Sequence, residues 1–419
     1  MRSFDAIVSH GANHNQGHFL IVEEAADKME MVSERILRII PDLVFLALVV
    51  LAQTAGTLWI LRRFAAGASR RARLVIQAAA VLSLVSLVLG FLLRFARFTR
   101  FFPGSWLSWG RALVITWALL SMLWLIALAV LPLLPRLRPG HSAARRNFLR
   151  AAQAVLFGAP AAVVGYGVFI GRFRFQLREQ KIEVPGLAHD LDGLRLVQLT
   201  DIHLSAFLRR SQLDRAVAMA NETRAHVALV TGDLITARFD PLDDCLQSLA
   251  GLRAEAGIFG CMGNHEIYAG SQRYTESEGA RKGIRFLRHA HAPLRFGDAT
   301  LNVAGVEYQR YKRPYLQGAE AMVVPGAFNV MLSHNPDVFP VAARQGYQLT
   351  IGGHTHGGQI RLEILHADLN IARFFTPYVD GLYRQGSSSI FVSRGIGTIG
   401  VPARFGAPPE VALLQLCRT

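Results

Sequence analysis

The C-terminal half of the chain repeatedly pairs acidic, amide and imidazole side chains with glycine at close spacing. The groups are Asp201-Ile202-His203, Gly232-Asp233, Gly263-Asn264-His265-Glu266, His334-Asn335 and Gly353-His354-Thr355-His356. Carboxylate oxygens and imidazole nitrogens suit divalent ions such as Mn²⁺, Zn²⁺ or Fe. A DxH or HxH step delivers two donors from one short turn, and flanking glycines remove the Cβ that would hold the backbone away from an ion. Two ions roughly 3.5–4 Å apart clamp a phosphoryl group and turn a water between them into a nucleophile. A single DxH or GD is common by chance, and a lone histidine such as His334 is more often structural than a ligand. The specific signal is their joint appearance in this order.

Each group follows an apolar run. The runs are LRLVQLT (194–200), HVALVTG (226–232), GIFGCMG (257–263), LNVAGV (301–306), FNVMLS (328–333), QLTIGG (348–353), SIFVSR (389–394) and VALLQL (411–416). Between the first two, Leu213, Val217 and Ala220 recur at helical spacing. Strands alternating with helices predict an α/β layered domain over 183–419. Its site lies at the carboxyl ends of the strands, where loops are free and the strand bases are rigid.

The order DxH, GD, GNH(D/E), H, GHxH resembles the calcineurin-like metallophosphoesterase superfamily. TDIHL, TGDLIT, GNHEIY, LSHNPD and GGHTHGGQI are most similar to its membrane-anchored bacterial branch. The late segment SRGIGTIGVPARFGAPPEVALLQL is similar to that branch's tail, so the resemblance covers residues 185–418 and leaves out the first 180. It implies a four-layer α/β/β/α sandwich and two metal sites. One would take Asp201, His203, Asp233 and His356; the other Asp233, Asn264, His334 and His354, with Asp233 bridging. It further implies that His265, beside Asn264 but not a ligand, binds the phosphoryl oxygen and protonates the leaving group. Arg394, at the end of a strand, reads equally as a phosphate contact or as a partner in a salt bridge. Tyr308 and Arg310 follow LNVAGV, where the family lines its pocket. Cys261 is expected to pack within a strand.

The first 171 residues have another texture. The chain as a whole has 419 residues, 51% of them hydrophobic, and a mean hydropathy of +0.27; the excess falls here. A polar segment, 1–41, carries His10, His14 and His18 at four-residue spacing, without the apolar pattern a metal-binding helix face needs. Met29 and Met31 leave open where the mature chain begins. Leu43–Leu61, Leu74–Leu93 and Ala112–Leu134 carry no charge, and each is long enough for a hydrocarbon core of roughly 30 Å. Ala151–Ile170 is weaker, rich in Ala and Gly with one proline. Residues 42–171 are therefore expected to form an all-α transmembrane region of about four helices. Arginine-rich loops at 62–73 and 136–150 share one side, which the positive-inside rule makes cytoplasmic. The catalytic domain is then expected on the periplasmic or extracellular face of a bacterial cell membrane. ARRNFLR (144–150) resembles a twin-arginine export signal and reads equally as a basic helix flank; both keep those arginines inside.

Net charge is +15, which raises nucleic-acid binding. Many of the arginines flank the apolar segments, however, as topology alone requires, so nucleic acid is the disfavoured partner. Lys28, Lys181, Lys282 and Lys312 are the only lysines. Cys245, Cys261 and Cys417 form no CxxC pair, which excludes a disulfide framework and a zinc finger. The expected function is a membrane-tethered dimetal phosphoesterase acting on phosphate mono- or diesters. Lipid-linked esters of the phospholipid or UDP-diacylglucosamine type are the substrates tethering favours. A non-catalytic scaffold is opposed by the complete ligand set. A transporter or sensor is opposed by the absence of charge in the apolar segments.

Overall fold

The computed structural model describes residues 43–44, 46–59, 61–62, 69–92, 104–130, 142–309, 315–364 and 367–419. The segment 1–41, with His10, His14 and His18, lies outside them. The chain divides into two compact units, one from the described parts of 1–96 and 117–153, the other from 97–116 and 154–419.

The first unit is helical. It holds α1 (Leu46–Trp59), α2 (Arg70–Leu92), α3 (Gly104–Val130) from Trp117 onward, and the first turns of α4 (Ala143–Phe169). Polar side chains cross-link three of these helices. Gln53 Nε2 donates to Ser121 Oγ at 2.8 Å, Ser83 Oγ to Gln53 Oε1 at 2.9 Å, and Trp117 Nε1 to Ser83 Oγ at 2.5 Å. Among the described residues no single helix is long and apolar enough to cross a membrane. One bent pair, Ala143–Leu156 with Gly158–Phe173, passes as a whole with a 41° bend. Pro160 lies inside α4, where its missing N–H and its ring disrupt the helical ladder and account for the break. The expected set of about four spans is not carried by the described helices.

The second unit is built on two six-stranded sheets. The first runs β1 (Gln176–Val184), β14 (Glu410–Arg418), β2 (Arg195–Leu199), β3 (Val227–Thr231), β4 (Ile258–Cys261), β5 (Ile284–Phe286). The second runs β12 (Gly381–Gln385), β13 (Ser388–Val392), β9 (Leu349–Gly352), β8 (Phe328–Leu332), β7 (Ala299–Gly305), β6 (Ala290–Phe296). In the first, β2 to β5 run parallel; in the second, β7, β8, β9 and β13 do. A hairpin of β10 (Arg361–Ile364) and β11 (Ala367–Asn370) stands apart. All eight apolar runs are strands. β1, β5, β6 and β12, the four edge strands of the two sheets, escape the pattern because exposed residues interrupt each of them.

Alternation along the strands splits the apolar side chains between two faces. Leu196, Leu229, Phe259 and Leu414 of the first sheet share one core with Leu301, Val330, Leu349 and Phe391 of the second. The opposite face of the first sheet, with Val197, Val230 and Leu413, packs on Leu213, Val217, Leu246 and Leu249 of α5 (Arg210–Glu222) and α6 (Leu242–Leu249). The outer face of the second takes α9 (Phe339–Gln345), with Phe339 against Ile390 and Val392. Cys261 is buried in β4.

Candidate metal centre

Because β2, β3 and β4 run parallel, the residues after them leave one edge together: Asp201, Asp233, and Asn264 at the start of α7 (Asn264–Ala269). β8 and β9 likewise release His334 and then His354 and His356 at one edge of the second sheet. Face-to-face packing makes the two edges meet. Gln198 fastens the seam: its Nε2 donates to Thr231 Oγ1 at 2.7 Å and to Gly352 O of the other sheet at 2.8 Å.

At the seam the donors form overlapping clusters. Asp201, His203 and His356 make one, Asp233, His334 and His354 another, and His203, Asp233 and His265 a third; within each, ligand atoms lie within 4.8 Å of one another. His356 Nε2 is 3.4 Å from Asp201 Oδ1, and His203 Nε2 is 3.5 Å from Asp233 Oδ2. His334 Nε2 is 3.0 Å from Asp233 Oδ2 and 3.8 Å from Asp201 Oδ1. Pairs of imidazole nitrogens also converge, His203 Nε2 on His356 Nε2 at 3.2 Å and His354 Nδ1 on His334 Nε2 at 3.3 Å. His334 Nδ1 meets Thr231 O at 2.7 Å, which places its proton there and leaves Nε2 to face the cluster.

These residues fit divalent cations. Ring nitrogens of four histidines and oxygens of two carboxylates converge within 3.0–3.8 Å of one another, the donor set a divalent cation takes. Asn264 Oδ1 is buried with no hydrogen-bond partner, an orphan acceptor that otherwise costs about 1–3 kcal/mol. The backbone carries strain at the same places: Asp201, His203, Asp233, His354 and His356 all have positive φ, between 48° and 74°. Such conformers cost on the order of 1 kcal/mol or more each and persist where the surroundings over-determine them. Glycine is required where these turns touch. A Cβ on Gly263 would fall inside the Asp233 carboxylate, and one on Gly353 inside that of Asp201.

Burial and charge set the protonation of the cluster. Burial raises Asp201 to about 6, although His334 pulls the other way. Burial opposes charge on His334 too, but Asp233 and Asp201 outweigh it and raise its pKa to about 10. Asp233, despite burial, is held well below the usual carboxylate range by His334. Burial lowers His203 to about 3 and His354 to about 4, and lowers His356 with help from His203 and Arg404. Most of the imidazoles are thus neutral, as ligands must be.

Two buried residues hold the frame and are missed by spacing. Glu266 is fully buried and accepts three backbone N–H bonds, from Asp233 at 2.9 Å, Leu234 at 2.8 Å and Gly263 at 2.8 Å. It ties the turn carrying Asp233 to the turn carrying Asn264. Its only trace in the sequence is its place beside His265. Glu266→Ala leaves three buried donors unpaired, so unfolding stability is expected to fall by at least about 3 kcal/mol, read by urea titration. Arg404 is fully buried in the tail segment. Its Nε and Nη2 donate to Gly397 O at 2.9 and 2.5 Å, Nη2 to Arg394 O at 2.8 Å, and Nη1 to Ala407 O at 3.1 Å. Nη2 also lies 3.3 Å from His356 Nδ1, so the cation braces the back of that ring. No motif announced it.

Of the remaining expected residues, His265 is half-buried. Its backbone N–H donates to Asp233 Oδ1 at 2.9 Å, and its Nδ1 meets Thr236 O at 2.6 Å. Nε2 is the ring nitrogen left for chemistry. Tyr308 reaches the cluster, its hydroxyl 3.5 Å from His354 Nε2. Arg394 is engaged elsewhere: Nε donates to Asp380 Oδ2 at 2.8 Å and lies 3.7 Å from Glu410 Oε2. Its geometry supports the salt-bridge reading. Arg310 lies outside the described residues.

Residues 194–358 match the family model described as calcineurin-like phosphoesterase. The uncharacterized metallophosphoesterase YkuE of Bacillus subtilis is 27% identical over 285 residues, 66% of this chain and 98% of that protein. A transmembrane protein with metallophosphoesterase domain from Danio rerio is 30% identical over 300 residues, 68% of this chain and 67% of that protein. The phosphodiesterase YaeI of Escherichia coli is 26% identical over 287 residues, 65% of this chain and 98% of that protein.

Proposed function

We propose that this chain, which belongs to the calcineurin-like phosphoesterase family, hydrolyses phosphate mono- or diesters at the paired Asp–His clusters. The observation that carries this is the chain of three donor clusters, Asp201–His203–His356, His203–Asp233–His265 and Asp233–His334–His354, linked through His203 and Asp233. Asp201, His203, Asp233 and His356 would hold one divalent ion; Asp233, Asn264, His334 and His354 would hold the second. When bound, Mn²⁺, Zn²⁺ or Fe supplies Lewis-acid charge at the phosphoryl oxygens and acidifies water.

The chain's own groups do the rest. Asp233 Oδ2 faces both His203 and His334, and its Oδ1 accepts the His265 N–H, which fixes the His265 backbone. Thr236 O holds His265 Nδ1, so the protonated ring presents Nε2–H to the departing oxygen. Tyr308, beside His354, lines the approach. Burial of the clusters keeps bulk water from competing.

Binding of a cation must displace the His334 proton, since the metal-free ring keeps it up to about pH 10. Apparent Mn²⁺ affinity is therefore expected to rise with pH between 6 and 9, by about tenfold per unit for each proton released. Calorimetry in buffers of different ionisation heat counts those protons. A flat affinity would contradict the ligand role of His334.

The apolar helices of the first unit are read as a membrane tether, which the transmembrane Danio rerio relative favours. The positive-inside pattern of the arginine loops favours an external catalytic domain, and tethering favours esters carried by lipids. The test compares an aryl phosphodiester, an aryl monoester and a vesicle-borne phosphodiester with Mn²⁺, together with a periplasmic reporter fused at the C-terminus. Turnover abolished by EDTA is expected. A complete set of intact ligands with no turnover under any divalent ion would favour a non-catalytic scaffold, and reporter activity only in the cytoplasm would reverse the orientation.

A further inference from the structure

The last carbonyls of a helix have no partner within it, and those of α4 are met by groups that lead to the metal centre. Gly167 O accepts the backbone N–H of Arg404 at 3.2 Å, and Val168 O accepts from Arg172 Nε at 2.7 Å. Arg172, itself buried, sits where a helix dipole favours a cation. The fit is close. In the turn Gly171–Phe173 that follows α4, a Cβ on Gly171 would fall on Arg404 O, a backbone atom that cannot step aside. The ring of Tyr166 meets that of Phe405 edge-on, their centroids 5.9 Å apart.

From these two arginines the contacts run to the turns of Asp201, His203 and His356. Arg404 Nη2 lies 3.3 Å from His356 Nδ1, and its Nε donates to Gly397 O at 2.9 Å. Gly397 N in turn donates to Asp201 O at 2.7 Å. A Cβ on Gly397 would fall on Ile202 O, so the tail segment and the DxH turn are in direct contact. Arg172 Nη1 donates at 3.1 Å to Phe207 O, in the stretch that continues from His203. Its guanidinium carbon is 5.5 Å from the ring centroid of Trp109 in α3, and that ring meets Phe207 edge-on at 5.1 Å. Asp201, His203 and His356 are the donors that the first ion site does not share with the second. The donors of the second are tied elsewhere. His334 Nδ1 is held by Thr231 O, and His354, although on the same turn as His356, aims its Nδ1 at His334 Nε2. No hydrogen bond among the described residues joins Arg172 or Arg404 to Asn264, His334 or His354.

We propose that Arg404 and Arg172 are positioning residues for the first ion site alone, seated by the C-terminal end of α4, so that the helix read as a tether is also part of the centre it carries. This rests on the two-ion reading above. The test uses the full chain in detergent. His334→Ala leaves only the first ion site, and His203→Ala only the second. Each is titrated with Mn²⁺ by calorimetry, alone and combined with Gly171→Ala or with Arg172→Met, which adds no bulk and cuts the bond to Phe207. Groups that orient a metal ligand change affinity about 10–100-fold when lost. That loss is expected in the His334→Ala protein, and none in the His203→Ala protein. The d–d absorption of Co²⁺ bound to the His334→Ala protein should shift with either added change, since it follows the geometry of the ligands around the ion. Unshifted bands, no loss in the first background, or an equal loss in both overturn the proposal. A parent chain that takes up no Mn²⁺ would overturn the two-ion reading as well. Two ions bound by the parent and untouched by either variant would overturn this proposal alone.

Discussion

Asp233→Asn is expected to lower kcat for an aryl phosphodiester by about 10³-fold or more and to reduce bound metal from two ions toward one or none. The change keeps shape and removes charge. Asn can still accept through its Oδ1 the His265 N–H that Asp233 Oδ1 accepts at 2.9 Å, so the backbone there has no reason to move. What disappears is the anion that faces His203 at 3.5 Å and His334 at 3.0 Å and belongs to both proposed ion sites. Charge stabilisation by a metal centre is worth several kcal/mol, and about 1.4 kcal/mol is tenfold in rate. Metal analysis and steady-state rates on the same preparation check this, with circular dichroism to verify the fold. Full occupancy with unchanged rate would remove Asp233 from the bridging role.

His265→Ala should separate acid catalysis from metal binding. Nδ1 is held by Thr236 O and the ring is half-buried, while the contact with Asp233 is made by the backbone N–H, which alanine retains. Metal content should therefore stay near that of the parent. The loss in kcat should be on the order of 10²–10⁴ for an alkyl leaving group, the usual range for a positioned proton donor. It should shrink for p-nitrophenol, which leaves without a proton. An equal loss on both substrates would mean that His265 positions the phosphoryl group and does not protonate the leaving oxygen.

The layout of the centre was legible because strand and ligand are adjacent in sequence. Each of Asp201, Asp233, Asn264, His334 and His354 comes one to three residues after an apolar run, and parallel strands carry such residues to a common edge. The neighbouring glycines were equally legible, since Gly263 and Gly353 are needed where two turns touch. The supporting residues were not, because their partners are distant in the chain and are backbone groups. Nothing in VPARFGAPPE marks Arg404 as the cation whose Nη2 lies 3.3 Å from His356 Nδ1. Nothing near Glu266 marks it as an acceptor for Asp233 N. Arg394 shows the limit from the other side. Its strand-end position suits a phosphate or a carboxylate alike, and the carboxylate of Asp380, 2.8 Å from its Nε, is distant from it in the chain and is seen only in the fold. The N-terminal half gave composition without pattern: helices apolar all round carry no stripe that fixes their arrangement.

The most direct measurement strips the protein with EDTA, then adds Mn²⁺ in steps while metal content and aryl phosphodiester hydrolysis are read together. A dimetal centre predicts no turnover in the stripped protein, turnover that returns as ions are bound, and saturation at two per chain. Hydrolysis that persists in excess chelator, or saturation at a single ion with full activity, would contradict it.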